Sequence, residues 1–319
     1  MDYILLILGF ILLIKGADIF VDGASSLAKK IGIPPVIVGL TIVSLGTSAP
    51  ELAISLISSL NGNNDIAIGN VVGSNLFNSL MVLGITAIVL PLIIQKQKIK
   101  ADFLVNISVS LLLFFLTFDS FFGKDYSLIS RIDGIILLVI CIAYISYLVF
   151  KSVKTNVELT SEKDENINVF VKILLMFLGV SAIVFGGDFV VDSATNIAYN
   201  FGMSEKLVGL TIIAMGTSLP ELVTSIVAAL KGENDIALGN VLGSNIFNIL
   251  LIIGLSSVIS PISVTSSLIV DFAYLIAITL FIFALVFIVK KPEKKLSRFE
   301  GAILVLLYIG YMAYIIIRN

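Results

Sequence analysis

Residues 38–84 occur twice in this chain. Val38–Gly84 aligns without a gap on Val208–Gly254, at a constant offset of 170 positions, and 28 of the 47 aligned residues are identical. Chance similarity between apolar stretches leaves only a few matches, so the copies are a duplication and must fold as two versions of one unit. The match reaches outward as well. Gly16, Asp18, Val21, Asp22, Ala24, Ala28 and Gly32 recur at the same offset as Gly186, Asp188, Val191, Asp192, Ala194, Ala198 and Gly202.

The medium for this unit follows from its polarity. With 58% hydrophobic and 13% charged residues and a mean hydropathy of +1.10, the chain is more apolar than a soluble core requires. A hydrocarbon layer takes roughly 20 apolar residues per helix. Such runs are expected at about 3–28, 35–60, 65–91, 102–122, 131–151, 168–199, 205–230, 235–260, 267–290 and 299–317. Ten spans over two copies make five per copy. An odd number sends the second copy through the membrane the other way, so an all-α integral membrane fold of two inverted five-helix repeats is expected. The expected limits are 1–153 for the first repeat, 154–168 for a short solvated cytoplasmic linker and 169–319 for the second. The linker is too short to hold a folded domain.

Lys and Arg are retained on the cytoplasmic side during insertion. With ten spans, the loops following odd-numbered helices carry fifteen basic residues and the opposite side carries four: Lys124, Arg131, Lys206 and Arg318. Both termini are therefore expected outside. Met1-Asp2-Tyr3 offers neither a basic leader nor a cleavage site, so the first helix is expected to remain. The lone Cys141 cannot form an internal disulfide, histidine is absent, and the net charge of −2 with scattered basic residues leaves no nucleic-acid footprint.

The densest shared elements are Gly46-Thr47-Ser48-Ala49-Pro50-Glu51 and Gly216-Thr217-Ser218-Leu219-Pro220-Glu221, each amid apolar sequence. A carboxylate at that depth is costly and persists mainly beside a polar cavity or partner. Pro50 and Pro220 have no N–H for the carbonyls of Gly46 and Gly216, which releases those oxygens. Thr47 and Ser48 share the helical face of Glu51, as Thr217 and Ser218 share that of Glu221. Clustered carboxylate, hydroxyl and carbonyl oxygens suit a hard cation such as Ca²⁺. The alternative for the two glutamates is a pair of protonated acids bonded within the bundle.

A second shared element, Gly69-Asn70-Val71-Val72-Gly73-Ser74-Asn75-Leu76-Phe77-Asn78, returns as Gly239-Asn240-Val241-Leu242-Gly243-Ser244-Asn245-Ile246-Phe247-Asn248. Its glycines permit close helix contact. Ser74 with Asn78, and Ser244 with Asn248, are four apart and can line the same cavity, or serve interhelical hydrogen bonding alone. Asp18, Asp22, Asp188 and Asp192 read as exposed or capping groups toward helix ends, with a transport role the lesser alternative. Asp65 and Asp235 read as N-caps that could also attract cations to the mouth.

Both elements resemble the α-repeats of the sodium/calcium exchanger family, within the cation/calcium antiporter superfamily, and the resemblance covers nearly the whole chain. It implies a multi-pass transporter of the cell membrane rather than an enzyme, with no cofactor and no protein partner, carrying Ca²⁺ and Na⁺. It further implies that Glu51 and Glu221 are the central ligands and that Thr47, Ser48, Thr217 and Ser218 supply further oxygens. Ser44 and Ala214 would add main-chain carbonyls, and Ser74, Asn78, Ser244 and Asn248 would complete the cavity. Potassium-dependent relatives carry Asp at the position of Asn248, so the neutral amide argues against obligatory K⁺ co-transport. Ca²⁺-sensing insertions of the larger relatives would not fit the short central loop. A proton- or K⁺-coupled antiporter, and less readily a gated cation channel, are the alternatives.

Overall fold

The computed structural model describes residues 1–62, 64–117, 128–156, 168–203, 212, 214–264, 268–288 and 292–318. The described residues are helical almost throughout. The helices are α1 (Asp2–Ile31), α2 (Pro35–Thr47), α3 (Ala49–Leu60), α4 (Ile66–Val89), α5 (Lys96–Thr117), α6 (Arg131–Val153), α7 (Val169–Asn200), α8 (Leu219–Leu230), α9 (Asn234–Ile259), α10 (Ile269–Phe287) and α11 (Arg298–Arg318). Among the described residues, eight of these are long and apolar enough to cross a membrane, and nine if the bent pair α2–α3 counts as one span. The expected seventh span, 205–230, begins largely outside the described residues, as does most of the linker at 154–168. Helix α5 starts at Lys96 rather than at 102 because its first turns are polar, and a hydropathy pattern registers only the part that lies in hydrocarbon.

Burial separates the helices into two classes. The apolar windows of α4 and α9 are 78% buried, whereas those of α1 and α7 are 33% and 22% buried. The outer helices turn Ile4, Ile7, Ile11, Phe170, Phe177 and Phe185 outward, as lipid-facing surfaces do. The central pair carries the second shared element of each repeat.

Helices α1 and α7 occupy matching places in the two copies, and they pack against each other in opposite directions. A Cβ on Gly16 would come 2.8 Å from the Gly179 carbonyl, and one on Gly9 would come 2.8 Å from that of Gly186. Small residues thus let the two backbones touch, the usual basis of helix association where lipid is as apolar as leucine. Helix α2 approaches α9 in the same manner, with Gly39 against the Ile236 carbonyl and Gly243 against Leu40 and Ser44.

Short strand pairs join the ends of the helices. Strand β1 (Leu92–Gln95) pairs antiparallel with β4 (Glu293–Leu296), and β2 (Leu128–Ile129) with β3 (Ile262–Ser263). The N-cap reading of Asp235 is corrected. Glu233 precedes the helix, and Asp235 lies within its first turn and pairs with Lys98 at 2.8 Å. The side chain of Asp65 lies outside those described. Asp18 and Asp22 sit well inside α1 rather than at its ends, and they keep the exposure expected of them while both meet the Lys231 ammonium, at 2.7 and 2.6 Å.

Candidate ion-binding site

Each shared GTS-x-PE element breaks its helix at the serine. Ser48 leaves the helical region at φ −82°, ψ 11°, and Ser218 does so at φ −93°, ψ 7°. The helical ladder resumes two residues beyond each proline, from Leu52 N to Ser48 O and from Leu222 N to Ser218 O, both 3.1 Å. In the first copy the break bends α2 against α3 by 49°. Pro50 and Pro220 fill the first turn after the break, where no N–H is needed. Glu51 and Glu221 stand in the same turns, at the electropositive ends of α3 and α8. Both are fully buried.

The two motifs hold each other crosswise. Ser48 donates to Glu221 Oε1 at 2.7 Å, and Ser218 donates to Glu51 Oε1 at 2.9 Å. Ser74 and Ser244 add longer bonds to the glutamate of their own repeat, at 3.4 and 3.3 Å. Ser48 also reaches Ser244, at 3.0 Å. One oxygen of each carboxylate is thus occupied. The other, Oε2, is buried in both without a hydrogen-bond partner.

Main-chain support is mirrored as well. Asn70 Nδ2 bonds the Glu51 carbonyl and Ser55 Oγ, at 3.3 and 3.1 Å, while Asn240 Nδ2 bonds the Glu221 carbonyl and Ser225 Oγ, at 3.3 and 3.0 Å. Sequence reasoning assigned no role to these four residues, although all are identical between the copies. Thr47 donates toward Asn240 Oδ1 (3.0 Å) and its own helix, so its hydroxyl is committed. The Thr217 hydroxyl oxygen is buried without a partner.

Asn78 and Asn248 each open a π-helical stretch, Asn78–Val82 and Asn248–Ile253. Such wide turns re-aim side chains and recur at functional sites. Both amide atoms of Asn78 and the Oδ1 of Asn248 are buried and unpaired. Glu51 Oε2, Glu221 Oε2 and these amide oxygens are buried acceptors without a donor. Buried polar atoms are normally satisfied, and carboxylate and amide oxygens left without donors are a chemistry that suits a hard cation.

The two main-chain candidates differ. The Ser44 carbonyl accepts from Ser48 N (2.9 Å) and from the Thr47 hydroxyl (3.3 Å), and the Ser44 side chain abuts Gly243. In the second copy Ser218 N turns to the Met215 carbonyl, at 3.2 Å. Among the described residues no three acids, cysteines or histidines cluster as a metal group. The set therefore combines two carboxylates with neutral oxygens.

Comparison with known proteins agrees with this arrangement. A family model described as sodium/calcium exchanger protein matches residues 1–153 and 171–317. The chain belongs to the sodium/calcium exchanger family. Within it, the chain is 37% identical over 314 residues to the putative antiporter CaxA of Alkalimonas amylolytica, covering 97% of this chain and 96% of that protein. It is 33% identical over 346 residues to the sodium/calcium exchanger MaX1 of Methanosarcina acetivorans, covering 98% and 97%. Among solved structures, the sodium-calcium exchanger NCX_Mj soaked with zero Na⁺ and Ca²⁺ superposes with a TM-score of 0.82 at 30% identity, covering 98% of both chains. The protein is an integral membrane cation/calcium antiporter of this family.

Proposed function

We propose that the protein exchanges Na⁺ for Ca²⁺ by alternating access at the Glu51–Glu221 cluster. The observation that carries this reading is the crosswise serine pairing, which brings the acids of two mirrored motifs into one sealed group and leaves an oxygen on each unpaired. Two ionised carboxylates give a charge near −2, which one Ca²⁺ or at least two Na⁺ neutralise. Loading one ion type excludes the other. Exchange also requires that the empty site not change sides freely, and unpaired carboxylates in low dielectric supply that barrier. More than two Na⁺ per cycle would make transport respond to voltage.

Glu51 and Glu221 are the central ligands of this proposal. Ser48, Ser218, Ser74 and Ser244 orient them and share their oxygens. Thr217, Asn78, Asn248 and the Ala214 carbonyl contribute neutral oxygens, while Thr47 and Ser44 act more through helix packing. The antiparallel pair α1–α7 is the proposed moving part, peripheral and joined by its own glycine seam. Ten spans in two inverted halves (1–153 and 169–319, with the 154–168 linker inside), termini outside and a plasma-membrane location complete the reading, and the neutral Asn248 favours coupling without K⁺.

The test is flux in sealed vesicles. Ca²⁺ uptake is expected only against an opposing Na⁺ gradient, and Glu51→Gln or Glu221→Gln should abolish it while the protein still purifies as a folded species. Uptake driven equally by a pH or K⁺ gradient, or passive currents of channel size, would replace the Na⁺ reading.

A further inference from the structure

Behind the glutamates, the amides of α4 and α9 form a chain that leads away from the site. Asn248 Nδ2 donates to Asn75 Oδ1 (3.0 Å), Asn75 Nδ2 to the Asn245 carbonyl (3.1 Å), and Asn245 Nδ2 to Ser79 Oγ (2.8 Å). The chain ends at a small cavity of about 10 Å³ whose polar lining is Ser79, Asn106, Asn245 and Thr279 and whose other walls are apolar. Asn106 and Asn245 are buried, and the Oδ1 of each lacks a partner. Thr279 spends its proton on the Leu275 carbonyl, at 2.8 Å.

The lining thus presents two unpaired acceptors, and the Ser79 hydroxyl, which accepts from Asn245, retains a proton to donate. One water complements this set, giving two hydrogen bonds and accepting one. The volume suits it, since a single buried water needs on the order of 10–15 Å³ of such space and two to four polar partners. A cation does not suit it, because no carboxylate lines the cavity and a charge against apolar walls would be uncompensated.

The second copy cannot build the same pocket. At the 170-residue offset Ser79 corresponds to Ile249, and at the 169-residue offset that aligns Asp102 with Asp271, Asn106 corresponds to Leu275. The mirror partner of Asn248 is accordingly left loose, with both amide atoms of Asn78 unpaired. The duplicated amides therefore differ: one is anchored through its nitrogen and the other is not.

We infer that the cavity is a built water site and that Asn75 and Asn245 are positioning residues, which together hold the Asn248 nitrogen away so that only its oxygen serves the transported ion. This rests on the ion-binding reading of the glutamate cluster. A released Asn248 could turn its NH₂ toward the cation and weaken the site without altering any ligand.

Equilibrium radiocalcium binding to purified protein in nanodiscs tests this, with vesicle flux run in parallel. Asn75→Leu should weaken Ca²⁺ binding about tenfold, the loss expected for an unanchored hydrogen-bonding group beside a charge. Combined with Asn248→Ala it should cost little beyond Asn248→Ala alone. Asn106→Leu, which fills the cavity, should weaken binding in the same direction by a smaller factor. If Asn75→Leu fails to fold, Ser79→Ala takes its place in the same cycle. Multiplicative losses in the double variant, or unchanged binding in Asn106→Leu, would overturn the assignment. Wild-type Ca²⁺ binding without Na⁺-driven flux would instead reject the exchange reading and leave the amide relay standing.

Discussion

Ser48 and Ser218 do more than line a cavity, because each fixes the acid of the opposite repeat. Removing a hydrogen bond to a charged group costs about 1.5–3 kcal/mol, roughly a tenfold to hundredfold change in an equilibrium constant. Ser218→Ala should therefore weaken Ca²⁺ binding by at least about tenfold. Ser48→Ala should weaken it further, since its bond is shorter and Ser244 also leans on that hydroxyl. Titration of Ca²⁺ against the purified variants checks both, and equal wild-type affinities would deny the crosswise role. These serines were legible in sequence because a carboxylate in apolar surroundings is costly enough to demand company. Asn70, Asn240, Ser55 and Ser225 were not, because a neutral polar side chain in a helix has several satisfactory partners and duplication alone does not choose among them. Spacing likewise does not reveal that the Ser44 carbonyl, named through the family resemblance, already accepts two bonds.

Among the elements, α1 and α7 form a unit whose contact leaves no room for a side chain. Gly179→Leu would set a branched group within 3 Å of the Gly16 carbonyl and the Phe20 backbone, so the helices must part. Loss of flux with retained but broader thermal unfolding is the expected result. One side of this unit is also tied down. Lys231 bonds the Asp18 main chain (2.9 Å) and both Asp18 and Asp22 carboxylates, while Glu233 pairs with Ser25 and, at 3.8 Å, with Lys29. The equivalent of Lys231 in the first copy is Asn61, so α7 has no matching lysine tie. Lys231→Gln should loosen α1 on that face alone, read as faster labelling of a cysteine placed at Ser26, with the labelling of one at Asn196 unchanged. Partial burial by itself would lower the Lys231 pKa, but bonds to Asp18 and Asp22 outweigh it and hold the ammonium above the usual lysine range. A raised lysine pKa means the tie is fully present at neutral pH and is lost only as pH climbs through that raised value. The Lys231→Gln effect should accordingly be constant through neutral pH and vanish in strong alkali, where the parent loses the tie as well. Sequence gave no hint of the pairing, since its partners are 213 and 209 residues apart.

For the whole molecule, the ties between distant segments follow the two faces that the basic residues suggest. The loops carrying β1 and β4 fall on the lysine-rich side, and those carrying β2 and β3 on the other. Lys98 meets Asp235 within the first face, and Arg131 reaches the Ile259 carbonyl within the second. A triad around a buried aspartate is also duplicated, with Asp102 held by Tyr144 and Lys151 toward the first face and Asp271 by Tyr311 and Arg318 toward the second. The alignment missed these triads because their separations, 169, 167 and 167 residues, depart from the 170 of the repeat cores. The repeat was readable from identity and the membrane setting from apolar length, whereas the orientation rests on a charge count alone. It can be measured directly. Ser263→Cys and Lys295→Cys each lie at exposed strand positions, and the native Cys141 is buried. An impermeant maleimide applied to intact cells should label the first at once and the second only after permeabilisation, since the lysine-rich face is retained inside. The reverse order would turn the molecule over in the membrane, and labelling of both from one side would break the pairing of loops with faces and, with it, the inverted arrangement of the two copies.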